Sequence, residues 1–297
     1  MISSTRSSPK FTPPVTIGYY PRINPNTQTS GARFTLGFIG AGKLAGSVIR
    51  GLVLKNFCAP DQIIASEPSA ELRAVLLRET GIRVTPENSE VARTAGTILI
   101  GVKPALVLPV IQKVSSELGN KLVISLAAGT RLTKMEASSD ARFMRVMTNI
   151  PSALGAGASA LARGSRTTEE DVQQVRAMFG AIGLIVSVDE DQIDAVTALA
   201  GSGPAFVYSV IEALAEGGKR EGLPAETALA LATHTVLGAA RFAAKGDATP
   251  EELRRMVITP GGTTAAGLAV MEEHATTEGL SAAIEAAAAR GREMAKL

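Results

Sequence analysis

A glycine-rich turn, Gly40-Ala41-Gly42-Lys43-Leu44-Ala45, constrains the fold of this chain more than any other feature. It follows the apolar run FTLGFIG, which predicts a β-strand, and it opens the segment KLAGSVIRGLVLKN, which has apolar residues at helical spacing. In such a strand–turn–helix, Gly40 permits the tight turn, Gly42 lets the backbone approach a pyrophosphate, and Ala45 keeps the helix close to the strand. The helix N-terminus adds unpaired N–H groups and a positive dipole end. The turn therefore predicts a dinucleotide site.

The rest of the chain divides into two patterns. Short apolar runs alternate with helical segments as far as LIVSV at 184–188, which predicts a doubly wound, mainly parallel sheet. After Asp189 only helical patterns remain, at 191–200, 204–221, 224–245, 249–258, 264–274 and 279–295. We therefore predict an α/β fold, with an N-terminal Rossmann-type sheet domain over 34–190 and an all-helical domain over 191–297.

Charge and composition exclude several classes of function. The 297 residues carry 30 Lys and Arg against 28 Asp and Glu, a net charge of +2 that is too small to hold a nucleic acid backbone. Cys58 is the single cysteine and there are two histidines, so we expect neither disulfides nor a metal site. The longest apolar stretch, 195–211, contains Gly-Ser-Gly-Pro, and we expect a soluble protein with no membrane partner.

Residues 1–33 form an extension of different composition. They are rich in Ser, Thr, Pro and Asn, carry four basic residues and no acidic one, and show no periodic pattern, so we expect them to be disordered. This composition is typical of an organelle transit peptide and equally of an unspecialised extension. The C-terminal Ala295-Lys296-Leu297 is similar to a peroxisomal address. We expect a cytoplasmic location, with import through residues 1–33 as the alternative.

The helical segment 224–245 suggests that the chain associates with itself. It has no charge between Glu226 and Arg241 and is mostly Ala, Leu and Val around its circumference. A helix that is apolar on every side needs cover on every side, and a domain of this size provides little of it. We therefore predict a homodimer or a larger homo-oligomer; the alternative is a helix covered within a monomer.

The end of the second predicted strand bears on the choice of dinucleotide. Glu67 could accept a hydrogen bond from a ribose 2′-hydroxyl, as NAD binding prefers. The hydroxyl of Ser66 could instead donate to a 2′-phosphate, and Arg73 lies on the following helix. The residues leave both dinucleotides open.

Four further segments lie at positions where such folds bind ligands. Val102-Lys103-Pro104 and Ser125-Leu126-Ala127-Ala128-Gly129 each follow a predicted strand, at the edge where parallel sheets hold ligands. In the helical domain, Ala200–Pro204 joins two predicted helices and Thr259-Pro260-Gly261-Gly262-Thr263-Thr264 precedes another. The latter turn offers a carboxylate site at a helix N-terminus, unless it serves only as a cap.

These motifs together resemble those of one enzyme family. GFIGAGKLA, VKP, SLAAG, RVMTNIP, DAVTALAGSGPAFVY, EALAEGGKREGLP and TPGGTTAAGL occur in the order expected of pyrroline-5-carboxylate reductases. The resemblance runs from about Leu36 to the end of the chain. It implies reduction of 1-pyrroline-5-carboxylate to L-proline, the final step of proline biosynthesis, with NADPH or NADH and with NADPH slightly favoured.

The resemblance also implies roles for individual residues. Thr264 is the residue expected to hydrogen-bond the imine nitrogen, and it is the candidate catalytic group. The turn expected to hold the substrate reaches across from a partner subunit in this family and contains Gly261, Gly262, Thr263 and Thr264. The residues expected to bind the cofactor are Gly40, Gly42, Lys43, Leu44, Ser66, Asn88, Val102, Lys103, Ala127, Ala128 and Asn149.

Two other functions fit parts of the sequence. A β-hydroxyacid dehydrogenase would offer a catalytic lysine in the helical domain, where Lys219 lies in what looks like a solvated helix end. A cofactor-binding protein without catalysis would have no need of the PGGTT turn. Neither His234 nor His274 falls in a motif, and we expect neither to be catalytic.

Overall fold

The computed structural model describes residues 32–294, and the predictions for 1–31 and 295–297 lie outside the described residues. Eight strands form one sheet: β1 (Phe34–Ile39), β2 (Ile63–Ser66), β3 (Arg83–Thr85), β4 (Ala95–Ile100), β5 (Leu122–Ser125), β6 (Arg142–Met147), β7 (Gly157–Arg163) and β8 (Gly183–Ser187). Their order is β3-β2-β1-β4-β5-β6-β7-β8. All neighbours pair in parallel except β6 and β7. The predicted doubly wound α/β fold is confirmed.

Helices connect the strands and then continue alone. Those of the strand-containing part are α1 (Lys43–Leu54), α2 (Ala70–Thr80), α3 (Asn88–Thr94), α4 (Val107–Lys113), α5 (Ser115–Leu118), α6 (Leu132–Glu136) and α7 (Glu169–Ala181). After the sheet come α8 (Ile193–Val196), α9 (Gly203–Arg220), α10 (Ala225–Ala243), α11 (Pro250–Met256), α12 (Thr263–Glu273) and α13 (Thr276–Met294). Short 3₁₀ turns occupy Pro60–Gln62, Pro104–Leu106, Ile150–Leu154 and Glu190–Gln192.

The sequence patterns missed part of the chain between β6 and β8. Strand β7 and helix α7 lie there, and neither was among the predicted elements. Strand β7, GASALAR, is mostly small residues with one leucine, which gives a weak strand pattern. Helix α7 begins with a capping box between Thr168 and Asp171, a signal that the sequence does contain.

The described residues form two compact units. The sheet unit comprises residues 32–206 and 280–294, and the helical unit comprises Val207–Gly279. The division falls within α9, after Phe206, whereas the sequence patterns place the domain boundary at residue 190. That boundary stays a prediction.

We expected the motif Gly-Ser-Gly-Pro to interrupt the apolar segment, but the helix continues through it. A π-helical turn at Thr197–Gly201 continues α8, and α9 follows it directly, so Glu190–Arg220 is one helical stretch. Among the described residues, this stretch alone is long and apolar enough to cross a membrane, judged by length and composition.

Core packing differs between the units. In the sheet unit, two clusters of buried side chains cover the two faces of the sheet, with Leu36, Phe38 and Phe179 in one and Ile39, Ile98 and Phe143 in the other. In the helical unit, the buried cluster consists of Ala215, Ala228 and Ala232. The sheet unit therefore has a complete hydrophobic core, whereas the helical unit has a minimal one.

Candidate active site

The first glycine of the predicted dinucleotide turn is required by the fold itself. Gly40 has φ +83°, a left-handed conformation that disfavours side chains. Its N–H donates to the main-chain oxygen of Ser66 at 3.0 Å. A Cβ at this position would lie 2.6 Å from Cγ1 of Val102. A glycine is therefore needed here, because the chain after β1 passes close to the end of β2 and to the segment after β4.

The second glycine instead borders open space. A Cβ at Gly42 would meet nothing within 4 Å. Gly42 is the N-cap of α1, no side chain caps this helix, and its first turn holds no acidic residue. Helix α7, by contrast, has a capping box and three acidic residues in its first turn. The N-terminus of α1 is therefore left for an external anion, and the residues present fit a pyrophosphate.

Small residues hold α1 close to the sheet. Ala45 is fully buried, and a Cβ at Gly101 would lie only 2.5 Å from the Cβ of Ala45. Lys43 is exposed and Leu44 half-buried at the start of the helix. Ala45 thus fulfils the role predicted for it.

The structure gives Ser66 a different partner from the one considered in the sequence. Its side chain is fully buried at the end of β2, and its hydroxyl donates to Oδ1 of Asn88 at 2.8 Å. Direct donation to a ribose 2′-phosphate is therefore not the arrangement observed. Asn88 is half-buried at the start of α3. Ser66 orients the Asn88 amide, and the contact of either residue with a ribose stays a prediction.

Glu67 and Arg73 meet just beyond β2. The Arg73 Nη1 donates to the main-chain oxygens of Glu67 at 2.6 Å and Pro68 at 2.9 Å. The Glu67 carboxylate turns back to accept from the N–H of Ser69 at 3.2 Å. Among the described residues, Nε and Nη2 of Arg73 have no hydrogen-bond partner. Two nitrogens of the guanidinium, with three N–H donors between them, thus remain available at this end of β2.

The sheet brings the other cofactor candidates to the same edge. Strands β1, β4 and β5 are parallel neighbours, so the segments that follow them emerge side by side. After β4, Val102 is half-buried and Lys103 exposed; after β5, Ala127 is buried and Ala128 half-buried. Of these, Ala127 and Ala128 carry only methyl groups, as the predicted close approach of a cofactor after β5 requires.

Asn149 has a supporting position. It is buried after β6; its Nδ2 donates to the main-chain oxygen of Ala200 at 3.1 Å, and its Oδ1 accepts from the N–H of Ala158 at 3.1 Å. The side chain thus joins the end of β6 to β7 and to the π turn. Its contact with the cofactor stays a prediction, and the hydrogen bonds of its side chain are to the main chain.

The predicted substrate turn lies in the helical unit and also precedes an uncapped helix. Gly261 has φ +69°, and a Cβ at Gly262 would overlap Oγ1 of Thr259. No side chain caps α12, and its first turn has no acidic residue, whereas α11 has a capping box formed by Thr249 and Glu252. The interpretation of this turn as a side-chain cap alone is therefore not supported. Among the described residues, the hydroxyls of Thr263 and Thr264 make no hydrogen bond.

The residues that would support other chemistry lack the setting for it. Lys219 forms an exposed ion pair with Glu216 on its own helix. His234 and His274 are both exposed. Burial, with the nearby charge of Asp61, raises the pKa of the Cys58 thiol to about 11, which disfavours a nucleophilic thiolate. Within residues 32–294, no group of three or more His, Cys, Asp or Glu side chains could hold a metal ion.

Comparison with known proteins agrees with this arrangement. A family model described as pyrroline-5-carboxylate reductase dimerisation matches residues 190–294, and one described as NADP oxidoreductase, coenzyme F420-dependent, matches 35–129. Pyrroline-5-carboxylate reductase of Arabidopsis thaliana is 42% identical over 265 residues, which cover 89% of this chain and 96% of the relative. The chain belongs to the pyrroline-5-carboxylate reductase family.

Solved structures support the same membership. A pyrroline-5-carboxylate reductase from Coxiella burnetii matches with a TM-score of 0.81 and 32% identity, covering 89% of this chain and all of that one. The pyrroline carboxylate reductase of Plasmodium falciparum, solved with NADP bound, also has a TM-score of 0.81, with 28% identity and coverage of 89% and 100%.

Membership in the reductase family accounts for the apolar surface of the helical unit. The dimerisation model spans that unit, including the second half of the long apolar stretch Glu190–Arg220. Large exposed apolar side chains of this unit include Tyr208, Leu229, Leu231, Leu237, Phe242, Met256 and Val257. A second chain provides the cover that such residues need.

Sequence reasoning missed one buried group in the sheet unit. Arg145 lies in the middle of β6, within the run RFMRVM, and it is almost completely buried. A charged residue inside an apolar strand is a signal visible in the sequence.

Proposed function

We propose that this chain reduces 1-pyrroline-5-carboxylate to L-proline, using NADPH in preference to NADH. When bound, the reduced nicotinamide cofactor supplies a hydride. The carbon of the protonated C=N bond accepts that hydride, and the nitrogen becomes the secondary amine of proline. The observation that carries the proposal is a pair of uncapped helix N-termini, at Gly42 and Gly262, in a chain of this reductase family.

The residues divide the work of binding. The N–H groups at the start of α1 bind the pyrophosphate, and the small residues Ala127 and Ala128 accept the flat nicotinamide ring. The N–H groups at the start of α12 bind the substrate carboxylate, and the free hydroxyl of Thr264 hydrogen-bonds the ring nitrogen.

Such a site requires no strong acid from the protein. A protonated cyclic imine is already a good hydride acceptor, so the enzyme mainly aligns donor and acceptor carbons. The chain accordingly needs neither a catalytic lysine nor a histidine in this role. This argument favours imine reduction over the β-hydroxyacid dehydrogenase alternative.

The preference for NADPH rests on the surroundings of β2. The strand ends in Ser66 and not in an acidic residue, and the Glu67 carboxylate is engaged with the N–H of Ser69. The two unpartnered nitrogens of Arg73 would bind a 2′-phosphate. The Plasmodium falciparum relative, solved with NADP, agrees with this choice.

We further propose that the active form is a homodimer or larger assembly in which the substrate turn of one chain completes a site on its partner. The location we propose is cytoplasmic, with organelle import through residues 1–33 as the alternative. A fluorescent protein fused behind residues 1–33 distinguishes the two: diffuse fluorescence supports the cytoplasm, and organellar fluorescence supports import.

The direct test is an assay of NADPH and NADH oxidation with 1-pyrroline-5-carboxylate as acceptor. We expect turnover with both cofactors and a higher kcat/KM with NADPH. Arg73→Ala should reduce the difference in kcat/KM between the two cofactors, because it should weaken the binding of NADPH without affecting that of NADH. Oxidation of neither cofactor by the purified protein would refute the proposed reaction.

A further inference from the structure

The charged side chain buried in β6 has an incomplete set of partners. Arg145 is 2% exposed, and its Nη1 donates to Oε1 of Glu190 at 3.1 Å. Its Nε and Nη2 are buried without a hydrogen-bond partner among the described residues. Burial lowers the pKa of Arg145, and the hydrogen bond and negative charge of Glu190 oppose that shift. Each unpaired N–H in such a place is an energetic cost.

Stability alone does not explain a guanidinium at this position. A buried ion pair gains little over well-packed apolar side chains, because desolvation offsets the attraction between the charges. Phe143 and Met147, two positions away along β6, share the face of the sheet on which Arg145 lies and are buried apolar residues, so a methionine at 145 would suit the same surroundings. The charge is therefore better explained by what it holds in place.

Glu190, the partner of Arg145, also contacts the end of the loop that follows β5. Oε1 of Glu190 also accepts from the N–H of Leu132 at 2.6 Å, at the first residue of α6. Leu132 ends the loop that begins after Ser125 and contains Ala127 and Ala128. The other end of that loop is held by β5 and by Oγ of Ser125, which accepts from the N–H of Ala127 at 3.3 Å.

The same carboxylate stands at the start of the long helical stretch. Glu190 opens the 3₁₀ turn Glu190–Gln192, which continues through α8 to the π turn. There the oxygen of Ala200 accepts from Asn149 at the end of β6. Two partly buried contacts, Arg145–Glu190 and Asn149–Ala200, thus join β6 and the residues just after it to the first part of this stretch, at its start and at the π turn.

We propose that Arg145 is a positioning residue for the nicotinamide half of the site, acting through Glu190 to fix the loop between Ser125 and Leu132. The inference rests on the proposed function, because the ring-binding role of that loop belongs to it. In this role Arg145 itself contacts no ligand. It sets where Ala127 and Ala128 lie relative to the glycine turn.

Binding measurements on two ligands separate positioning from general damage. NADP⁺ occupies both halves of the cofactor site, whereas adenosine 2′,5′-bisphosphate occupies only the adenosine half. For Arg145→Met we expect about tenfold weaker NADP⁺ binding and about a ten- to hundredfold lower kcat, the scale of loss for misplaced reacting groups. Affinity for adenosine 2′,5′-bisphosphate should change by no more than about twofold, because that half is independent of the loop.

Three further variants complete the test. Arg145→Lys keeps the charge and one donor toward Glu190, and it should recover part of the lost NADP⁺ affinity. Glu190→Gln keeps an acceptor for the N–H of Leu132 but removes the charge that pairs with Arg145. It should weaken NADP⁺ binding to a smaller degree and leave the binding of adenosine 2′,5′-bisphosphate unchanged. The matched control is Glu169→Gln, which removes an exposed ion pair with Arg163 of β7, away from this loop, and should leave both affinities unchanged.

The outcomes decide the inference separately from the proposed reaction. Unchanged NADP⁺ binding and kcat in folded Arg145→Met, or an equal loss for both ligands, overturns the positioning role. If Arg145→Met fails to fold, Glu190→Gln decides by the same two criteria. An unsubstituted protein that binds NADP⁺ but reduces no imine contradicts the proposed reaction, and the two affinities still decide the role of Arg145.

Discussion

The sheet unit and the helical unit differ in how much of their own surface they bury. The sheet unit covers both faces of its sheet with its own helices. The helical unit buries three alanines and leaves many large apolar side chains exposed. The sheet unit, which carries the predicted cofactor residues, therefore has a full core of its own, whereas the helices that carry the predicted substrate turn require further cover.

The two glycine turns differ in how their glycines divide the roles. In the sheet unit, Gly40 serves the fold and Gly42 leaves space for a ligand. In the substrate turn both glycines serve the fold, because Gly261 has φ +69° and a Cβ at Gly262 would overlap Oγ1 of Thr259. Substitutions at Gly40 and Gly42 therefore separate effects on folding from effects on binding, whereas in the substrate turn a side chain such as that of Thr264 has to be changed instead.

The largest effect is expected at Gly42. A valine there meets no protein atom close to its Cβ but occupies the space of the pyrophosphate, so Gly42→Val should fold normally and bind NADPH too weakly to detect by calorimetry. Gly40→Ala is the control, because a left-handed alanine should cost about 1–3 kcal/mol of folding stability. Cofactor binding by Gly42→Val at normal affinity would show that the turn is only structural.

A substitution on the exposed apolar surface tests the dependence of the helical unit on a second chain. Leu231 on α10 is 54% exposed, and we expect Leu231→Asp to yield a 30.7 kDa monomer by sedimentation. That monomer should retain NADPH binding and lose most of its turnover. The control is Leu77→Asp on α2, which is 48% exposed in the sheet unit and should leave assembly and turnover unchanged. A fully active Leu231→Asp monomer would remove the difference between the units.

The third effect concerns the substrate turn. Thr264→Ala removes the hydroxyl that is proposed to hydrogen-bond the ring nitrogen of the substrate. We expect kcat/KM to fall about ten- to a hundredfold, which corresponds to the loss of a hydrogen bond of about 1.5–3 kcal/mol. Cofactor affinity should stay normal, and Thr264→Ser should restore most of the activity. Loss of cofactor binding in Thr264→Ala, or full activity, would contradict the separation of the two halves.

The sequence predicted those parts of the fold and site that depend on local signals. The glycine turn, the strands β1 to β6 along the chain and, to within one residue, the starts of α11 and α12 follow from short patterns. The partner of Ser66 could not be predicted, because Asn88 reaches it only after β2 and α3 come together. The contact of Arg145 with Glu190 spans 45 positions and likewise depends on packing between distant elements.

The smallest effect is expected from removing the N-terminal extension. The first strand begins at Phe34, and every predicted site residue lies after it, so a chain lacking residues 1–31 should keep its turnover within about twofold. Removing residues 1–33 should cost slightly more stability, because the N–H of Arg33 donates to the oxygen of Thr94 at 2.9 Å and its guanidinium lies 5.4 Å from the Phe34 ring centre. Thermal unfolding and steady-state kinetics of both shortened chains measure the difference. A large loss of turnover already at residue 31 would mean that the extension contributes to the site, and the sheet unit would then not complete the cofactor half by itself.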